Sequence, residues 1–390
     1  MTLVVHGVSS LAPESGGPSR TVTALTDGLS TKNFSIALLT QSRLGRSVVE
    51  KSIGSTVDRR IAFSNSKPLL SVGLPFRRLL KNVISELKPS LIHHHGIWHP
   101  ASHYSAKLAK QFEIPLLLHT RGMLEPWALD YRAFKKQLAM RLYQRSDLKA
   151  ARLFFATADA EMESLRKLGL KQPIAIIPNG VDLPTLTEKE TRDTQASTRE
   201  SQRNAVFMSR IHPKKGILNL VEAWAHIRPA NWRLFIAGPD EGAHLAVVTQ
   251  RVRELGIEDS VEFLGQVEGE IKAELLKSAN LFILPSFSEN FGVVVAEALA
   301  YGVPVITTRG TPWEGLIHHG CGWWIDPTLG ALTKAMKEAL DMDPNQLRSM
   351  GGSGRAYAAE FNWAQIVEQT ATVYQWILGS GPRPACVVVD

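Results

Sequence analysis

The sequence predicts an α/β protein of two doubly wound, Rossmann-like domains facing a cleft, and three observations carry that expectation. The chain has 390 residues, more than the roughly 250–300 at which a single hydrophobic core stops growing. Short β-branched runs alternate with helical patterns almost throughout, the mark of parallel strands joined by helical crossovers. A polar stretch from Pro184 to Arg203, nearly without aliphatic side chains, then interrupts the alternation, and a structureless run of that length inside one compact domain is unusual.

In order, the strands of the first half are read at Leu3–Val5, Ser35–Thr40, Leu91–His95, Leu116–Thr120, Leu153–Ala156 and Ile174–Ile177. The second half restarts at Ala205–Ser209 and continues with Arg233–Ala237, Val261–Leu264, Leu281–Pro285, Val303–Thr307 and Gly322–Asp326. Helical patterns fill the gaps, among them Leu74–Lys88, Arg132–Lys149 and Ile217–Ile227. The amphipathic run Ile366, Val367, Ala371, Val373, Tyr374, Ile377 predicts a last helix near Gln365–Leu378, which Gly379-Ser380-Gly381-Pro382 ends. The tail beyond carries no pattern.

Composition narrows the function. The formal charge is +7, and it is unevenly placed: residues 1–150 hold 21 Lys and Arg against 9 Asp and Glu, a net +12, whereas residues 204–390 hold 15 against 20, a net −5. Two cysteines, Cys321 and Cys386, make no disulfide framework and suit a reducing cytoplasm. No stretch approaches the roughly 18 uncharged apolar residues of a spanning helix. The first strand is followed by Gly7, Gly16 and Gly17 in the wrong spacing for a G-x-G-x-x-G turn, and there is no Walker lysine motif, which speaks against nicotinamide dehydrogenases and P-loop NTPases. Nucleic acid is disfavoured by the acidic second half and by basic residues without interleaved aromatics.

Two constellations could carry chemistry. Arg210 closes a strand and Lys215-Gly216 precedes a helix; a guanidinium, an ammonium and a helix N-terminus converging on one point suit a diphosphate, although two solvated cations beside a helix start read the same way. The strand at Leu281–Pro285 leads into Ser286 to Gly292 and a helix carrying Glu297. Carboxylates at Glu289 and Glu297 can accept bonds from vicinal sugar hydroxyls, and the amides of Asn290, Phe291 and Gly292 are placed for an anion. Glu289 could instead cap the helix through its dipole. Glu297 is flanked by Val293–Ala296 and Ala298–Ala300, where an unpartnered carboxylate would be costly.

With these residues the sequence resembles the retaining glycosyltransferases of family 4, which have the GT-B fold, in the branch that builds bacterial surface polysaccharide and lipopolysaccharide. The resemblance runs through Gly16-Gly17-Pro18, His119, Arg121 to Trp127, Pro178 to Asp182, Arg210 with Lys215-Gly216, Leu264-Gly265-Gln266, the Glu289 to Glu297 element and Gly310 to Glu314. It implies that Arg210 and Lys215 hold the donor diphosphate, Glu297 the ribose, Gln266 and Val267 the base, and Glu289 with Asn290, Phe291 and Gly292 the donor sugar and its phosphate. Gly16 and Gly17 would approach the diphosphate from the other domain. His119 matches the active-site histidine, with Arg121 beside it lowering its pKa; Trp98 and Arg121 are expected on the acceptor side. A satisfied strand-end histidine is the plainer alternative for His119.

The expected organisation is residues 1–183 as the acceptor domain, 184–203 as a linker, 204–362 as the donor domain, 363–378 as a helix crossing back, and 379–390 as a tail. No cofactor and no metal are expected: of the cluster His93, His94, His95, His99 and His103, His94 must face away from His93 and His95 on a strand, and no carboxylate or cysteine is near in sequence. Arg77, Arg78, Lys81 and Lys88 in one helix, and Lys135, Lys136, Arg141, Arg145 and Lys149 in another, are either solvated faces or a docking surface for anionic lipid. The expected activity is transfer of a hexosyl unit from a nucleotide diphosphate sugar, with UDP or GDP, to a hydroxyl of a glycan or lipid-diphosphate acceptor, in the cytoplasm or peripherally on the membrane's inner face. The rivals are an epimerase or hydrolase of nucleotide sugars on the same fold, and a catalytically silent binding scaffold.

Overall fold

The computed structural model describes residues 2–12, 17–42, 56–64, 72–130, 133–184 and 202–390. Gly16 and most of the 184–203 stretch lie outside the described residues. By internal contacts the chain divides into unit 1, Met1–Gly180 with Trp363–Asp390, and unit 2, Val181–Asn362.

The strands in chain order are β1 (Thr2–Val8), β2 (Phe34–Ser42), β3 (Asp58–Phe63), β4 (Leu91–His95), β5 (Leu116–His119), β6 (Leu153–Ala156), β7 (Ile174–Ile176), β8 (Arg203–Met208), β9 (Trp232–Ala237), β10 (Val261–Gly265), β11 (Leu281–Leu284), β12 (Val305–Thr308), β13 (Gly322–Ile325) and β14 (Val387–Val388). Unit 1 holds one sheet in the order β14-β7-β6-β5-β4-β1-β2-β3, and unit 2 another in the order β10-β9-β8-β11-β12-β13. Both reverse direction of winding beside their first strand, as doubly wound sheets do, and every pairing is parallel except β14 with β7.

Helices cover both faces of the central strands, and β4, β5, β6, β11 and β12 are buried at every position; β6 and β11 are apolar throughout, whereas β4 buries His93, His94 and His95 and β12 buries Thr307 and Thr308. Two strands escaped the sequence pattern. Asp58–Phe63 is an edge strand of mixed polarity, and the tail read as featureless supplies β14, whose two residues can pair because a sheet edge offers unpaired backbone groups.

The helix Trp363–Ile377 packs on unit 1 through Ile366, Val367, Ala371, Val373 and Tyr374, in one cluster with Val22, Leu25 and Phe155. Gly180 sits against the Trp363 ring so closely that a Cβ there would come within 2.4 Å of it. The segment expected as one helix over Arg132–Lys149 is instead Ala133–Ala139, a π-helical turn at Met140–Gln144, and Arg145–Ala150. The wider turn brings the Gln144 side chain inward, where it accepts a bond from the Trp98 amide at 3.0 Å.

Candidate functional site

Because all six strands of unit 2 are parallel, their C-terminal ends share one edge, the place where doubly wound sheets bind ligands. Arg210 follows β8, Gln266 and Val267 follow β10, and Glu289 to Gly292 follow β11. Lys215 is carried by a one-turn 3-10 helix, Pro213–Lys215, ahead of the helix Ile217–Ile227. Gly216 joins the two at φ +68, and a Cβ there would lie 2.1 Å from the Pro285 carbonyl oxygen, so only glycine lets the turn close against the β11 loop. The Phe287 amide donates to the Lys214 carbonyl at 2.9 Å, tying those loops together.

The cations expected to face a diphosphate are each paired with a carboxylate. Lys215 Nζ donates to Glu289 Oε1 at 2.5 Å, with both side chains nearly buried. Ser286 Oγ donates to the same oxygen at 2.7 Å. Burial pushes the Glu289 carboxyl upward, but Lys215 and Ser286 outweigh it and hold it below the ordinary range. Arg210 pairs with Glu241 at 2.5 Å, both half exposed. Glu297, on the helix Val293–Ala300, pairs with Lys272 at 2.6 Å. Its second oxygen, Oε2, is buried without a hydrogen-bond partner.

Lys272 and Glu241 were not singled out in the sequence. Each lies on another element, 25 residues from Glu297 and 31 from Arg210, so only the fold brings them in. Phe291 proves to be packing: its ring is buried against Trp313 and Phe361, and its carbonyl accepts from the Trp313 indole at 2.5 Å. The group expected to meet a ligand there is its amide, not its ring. Gln266 is exposed and donates to Glu268 at 2.9 Å.

Unit 1 gathers a second set at the corresponding ends of its own strands. His119 ends β5; it is buried, and neither ring nitrogen has a hydrogen-bond partner. Its pKa is held well below the usual imidazole value by burial first and by Arg121 second, so the ring is neutral. The sequence named only the second cause. Arg121 has the left-handed backbone φ +56, and Trp98 has +71, conformations that cost a non-glycine residue of order 1–3 kcal/mol and collect at functional sites.

Glu161 holds the turn that follows β5. One carboxylate oxygen accepts from Thr120 Oγ1 (2.7 Å) and the Gly122 amide (2.6 Å), the other from the Thr157 amide (2.8 Å) and hydroxyl (3.1 Å). Nothing in the sequence marks it, since an acidic residue in the first turn of an amphipathic helix is ordinary. The Arg121 guanidinium donates to Thr21 Oγ1 and Asn179 Oδ1; Thr21, Asn179, His119, Arg121, Trp363 and Thr370 line a small cavity. Gly17 begins the helix Gly17–Ser30 that carries Thr21. The indole of Trp98 donates to the Met123 carbonyl at 3.1 Å.

The histidine cluster divides as strand alternation requires. His94 turns to Ser105 at 2.9 Å, and His103 to Asp147, while His93 and His95 share the opposite face. What the sequence did not show is His6, in register with His93 on the neighbouring strand. Ligating atoms of His6, His93 and His95 lie within 4.8 Å of one another, with His6 Nδ1 and His95 Nε2 sharing a hydrogen bond at 3.0 Å.

Two doubly wound sheets, with Arg210, Lys215, Glu289 and Glu297 beyond the strand ends of unit 2 and His119 and Arg121 at those of unit 1, define an α/β class whose members bind ligands at such ends. Residues 15–184 match the family model Glycosyltransferase Family 4, and residues 188–356 match Glycosyl transferases group 1. The chain belongs to the family 4-like glycosyltransferases of GT-B fold. It is 29% identical over 287 residues to D-inositol 3-phosphate glycosyltransferase 2 of Catenulispora acidiphila, with 68% of this chain and 66% of that protein covered; the match spans just under two thirds of that relative's length. Among solved structures, sucrose-phosphate synthase of Thermosynechococcus elongatus superposes with TM-score 0.81 at 22% identity, covering 97% of this chain and 100% of that one. The Anabaena protein HepE in complex with UDP-glucose superposes with TM-score 0.75 at 18% identity, covering 96% and 100%.

Proposed function

We propose that this protein transfers a hexosyl unit from a UDP- or GDP-sugar to a hydroxyl of a growing surface glycan carried on a lipid, with retention at the anomeric carbon. The observation that carries the donor half is Glu297: a carboxylate braced by Lys272, with one buried oxygen lacking a partner, at the strand-end edge of unit 2. A ribose hydroxyl donating to Oε2 would satisfy that oxygen, whose burial alone is otherwise costly. Likeness to a protein that binds UDP-glucose supports the reading.

In this reading Lys215 and Arg210 exchange carboxylate partners for the donor diphosphate, and the Asn290, Phe291 and Gly292 amides meet its negative charge. Gln266 and Val267 take the base through backbone groups. Once Lys215 turns to phosphate, Glu289 is released to accept a donor-sugar hydroxyl. The departing phosphate oxygen takes the acceptor proton as the acceptor oxygen bonds to the same face of the anomeric carbon, so that the residues position groups and stabilise charge instead of bonding covalently. Neutral His119 hydrogen-bonds the donor sugar. Gly16 and Gly17 are assigned to the diphosphate, Trp98 and Arg121 to the acceptor. The donor role extends over residues 204–362, the acceptor role over 1–183, and the helix from 363 to 378 serves the acceptor domain.

Peripheral docking on an anionic membrane fits the stripe Phe134, Leu138 and Leu142, 79%, 49% and 71% exposed at four-residue spacing, with Lys135, Arg141 and Arg145 alongside. Among the described residues no helix is long and apolar enough to cross a membrane. The test of the whole reading is a panel of UDP-, GDP- and ADP-sugars scored by thermal shift, followed by product analysis with and without a lipid-linked glycan acceptor. One donor should stabilise the native state and turn over only with acceptor. Sugar release or conversion at the same rate without acceptor refutes transfer.

A further inference from the structure

Arg121 differs from the unit 2 cations in what holds it. Its guanidinium donates to Thr21 Oγ1 (3.1 Å), Asn179 Oδ1 (2.9 Å) and His95 Nδ1 (3.0 Å). All three acceptors are uncharged, and the side chain forms no ion pair among the described residues. Arg121 thus enters the small cavity with His119 as a cation whose charge no contacting carboxylate cancels.

The bond to His95 begins a chain whose directions are forced. A guanidinium only donates, so His95 Nδ1 accepts, and the neutral ring carries its proton on Nε2. That proton is donated to His6 Nδ1 at 3.0 Å. His6, now accepting at Nδ1, is protonated at Nε2 and donates to the Tyr374 oxygen at 3.1 Å. The Tyr374 hydroxyl donates in turn to His93 Nδ1 at 2.6 Å, which leaves the His93 proton on Nε2. Neutrality of all three rings follows from burial, with Arg121 contributing the same sign: His6 is pushed down to about 3, and His93 and His95 well below the ordinary value. The chain locks His95 in the one tautomer that can accept from Arg121, and bonds running in one direction polarise and strengthen one another.

We propose that Arg121, with Thr21, Asn179 and His119, forms an oxyanion-binding subsite in unit 1, aimed by the chain His95–His6–Tyr374–His93, and that it receives a phosphate group borne by the acceptor. The inference deepens the acceptor-side placement of Arg121 and rests on it. Three observations converge: a cation held only by neutral acceptors, a neighbouring buried histidine with both nitrogens unpartnered, and a strained backbone at Arg121 itself. His6, His95, Tyr374 and His93 are positioning residues that act through Arg121 and touch no substrate.

The test uses the full-length protein free of nucleotide, labelled with 15N at histidine and titrated with inorganic phosphate at constant ionic strength. His6, His93 and His95 are each expected to carry the proton on Nε2. Phosphate should bind saturably, about tenfold more weakly in Arg121→Lys and about threefold more weakly in Tyr374→Phe, while UDP affinity in both variants stays within about twofold of the parent. A proton on Nδ1 of His6 or His95, or stoichiometric zinc uptake displacing the proton between them, overturns the chain and needs no variant to observe. No saturable phosphate response in the parent overturns the subsite, even where UDP binds normally. If UDP affinity falls in step with phosphate affinity in both variants, the oxyanion is the donor diphosphate and the acceptor assignment is overturned. Loss of UDP binding by the parent would count against the donor reading alone, so the two fail separately.

Discussion

Units 1 and 2 share a sheet architecture, and at their strand-end sites they handle charge in opposite ways. In unit 2, Lys215, Lys272 and Arg210 are each paired with a carboxylate, Glu289, Glu297 and Glu241. In unit 1, Arg121 rests on a hydroxyl, an amide and a neutral imidazole, and Glu161, whose charge reaches it, has one oxygen taken by Thr120 and Gly122 and the other by Thr157. Burial lowers the Arg121 pKa to about 10, with Glu161 opposing from a distance, so the guanidinium remains charged at neutral pH. A paired cation costs little to store and must change partners to bind; an unpaired one is ready but must be held by a rigid neutral frame. The frame in unit 1 is made of histidines, and that choice has consequences for stability.

Acid should separate the units most widely. His6, His93, His94, His95 and His119 all have folded-state pKa values lowered by burial. Below about pH 6.5 the unfolded chain binds protons that the folded unit 1 refuses, so stability falls with falling pH, by about 1.4 kcal/mol per pH unit for each ring and about 7 for the five together. Against a total stability of about 5–15 kcal/mol, unit 1 should lose hydrogen-exchange protection within about two pH units below 6.5. Unit 2 has the smaller set His212 and His244, and its depressed Glu289 contributes stability lost only as pH falls through that lowered value. Segment-resolved exchange showing unit 2 opening first would reverse the comparison.

The ion pairs give the next effect. Lys215→Ala should destabilise unit 2 by about 3 kcal/mol, because the nearly buried Glu289 is left unpaired, whereas Lys215→Met with Glu289→Leu should recover most of that loss without restoring nucleotide diphosphate binding. A double variant as unstable as the single one would show that packing, not charge, was disturbed. Glu297→Ala should weaken UDP or GDP binding by about 1.5–3 kcal/mol, the usual worth of a hydrogen bond to a charged group; isothermal titration giving unchanged affinity for both nucleotides removes the ribose role. Arg210→Ala should be smallest in stability, within about 0.5 kcal/mol, since its pair with Glu241 is solvent-screened. It should nonetheless weaken diphosphates more than nucleosides, and equal losses for both would contradict its placement.

The readable parts of the fold were those with a short-range physical signature. β6 matches its expected bounds because its apolar run ends where the polar Thr157 begins, and β4 matches because Gly96 breaks the strand after His95. The helix Ile217–Ile227 is bounded as expected, by Gly216 before it and by the chain's turn at Arg228 after it. β3 and β14 were missed because edge strands need neither alternation nor length. The π-helical turn at Met140–Gln144 was missed for another reason: one inserted residue barely changes an amphipathic pattern, though it decides where Gln144 points.

For the candidate site the division is sharper. Local sequence placed His119, Arg121, Arg210, Lys215 and Glu289 at strand or helix ends and Glu297 inside the helix that follows, since loops after parallel strands are recognised from the runs before them. Sequence alone therefore determined the fold class and the residue types presented at each edge. Tertiary structure decided which of those charges are cancelled. Lys272 reaches Glu297 from another helix, and Glu161 reaches Thr120 and Gly122 across 41 and 39 residues. Tyr374 reaches His6 across 368. The physical reason is that a group's charge state and bond direction depend on what lies within about 3 Å of it, and in a parallel sheet those neighbours come from strands and helices far away along the chain.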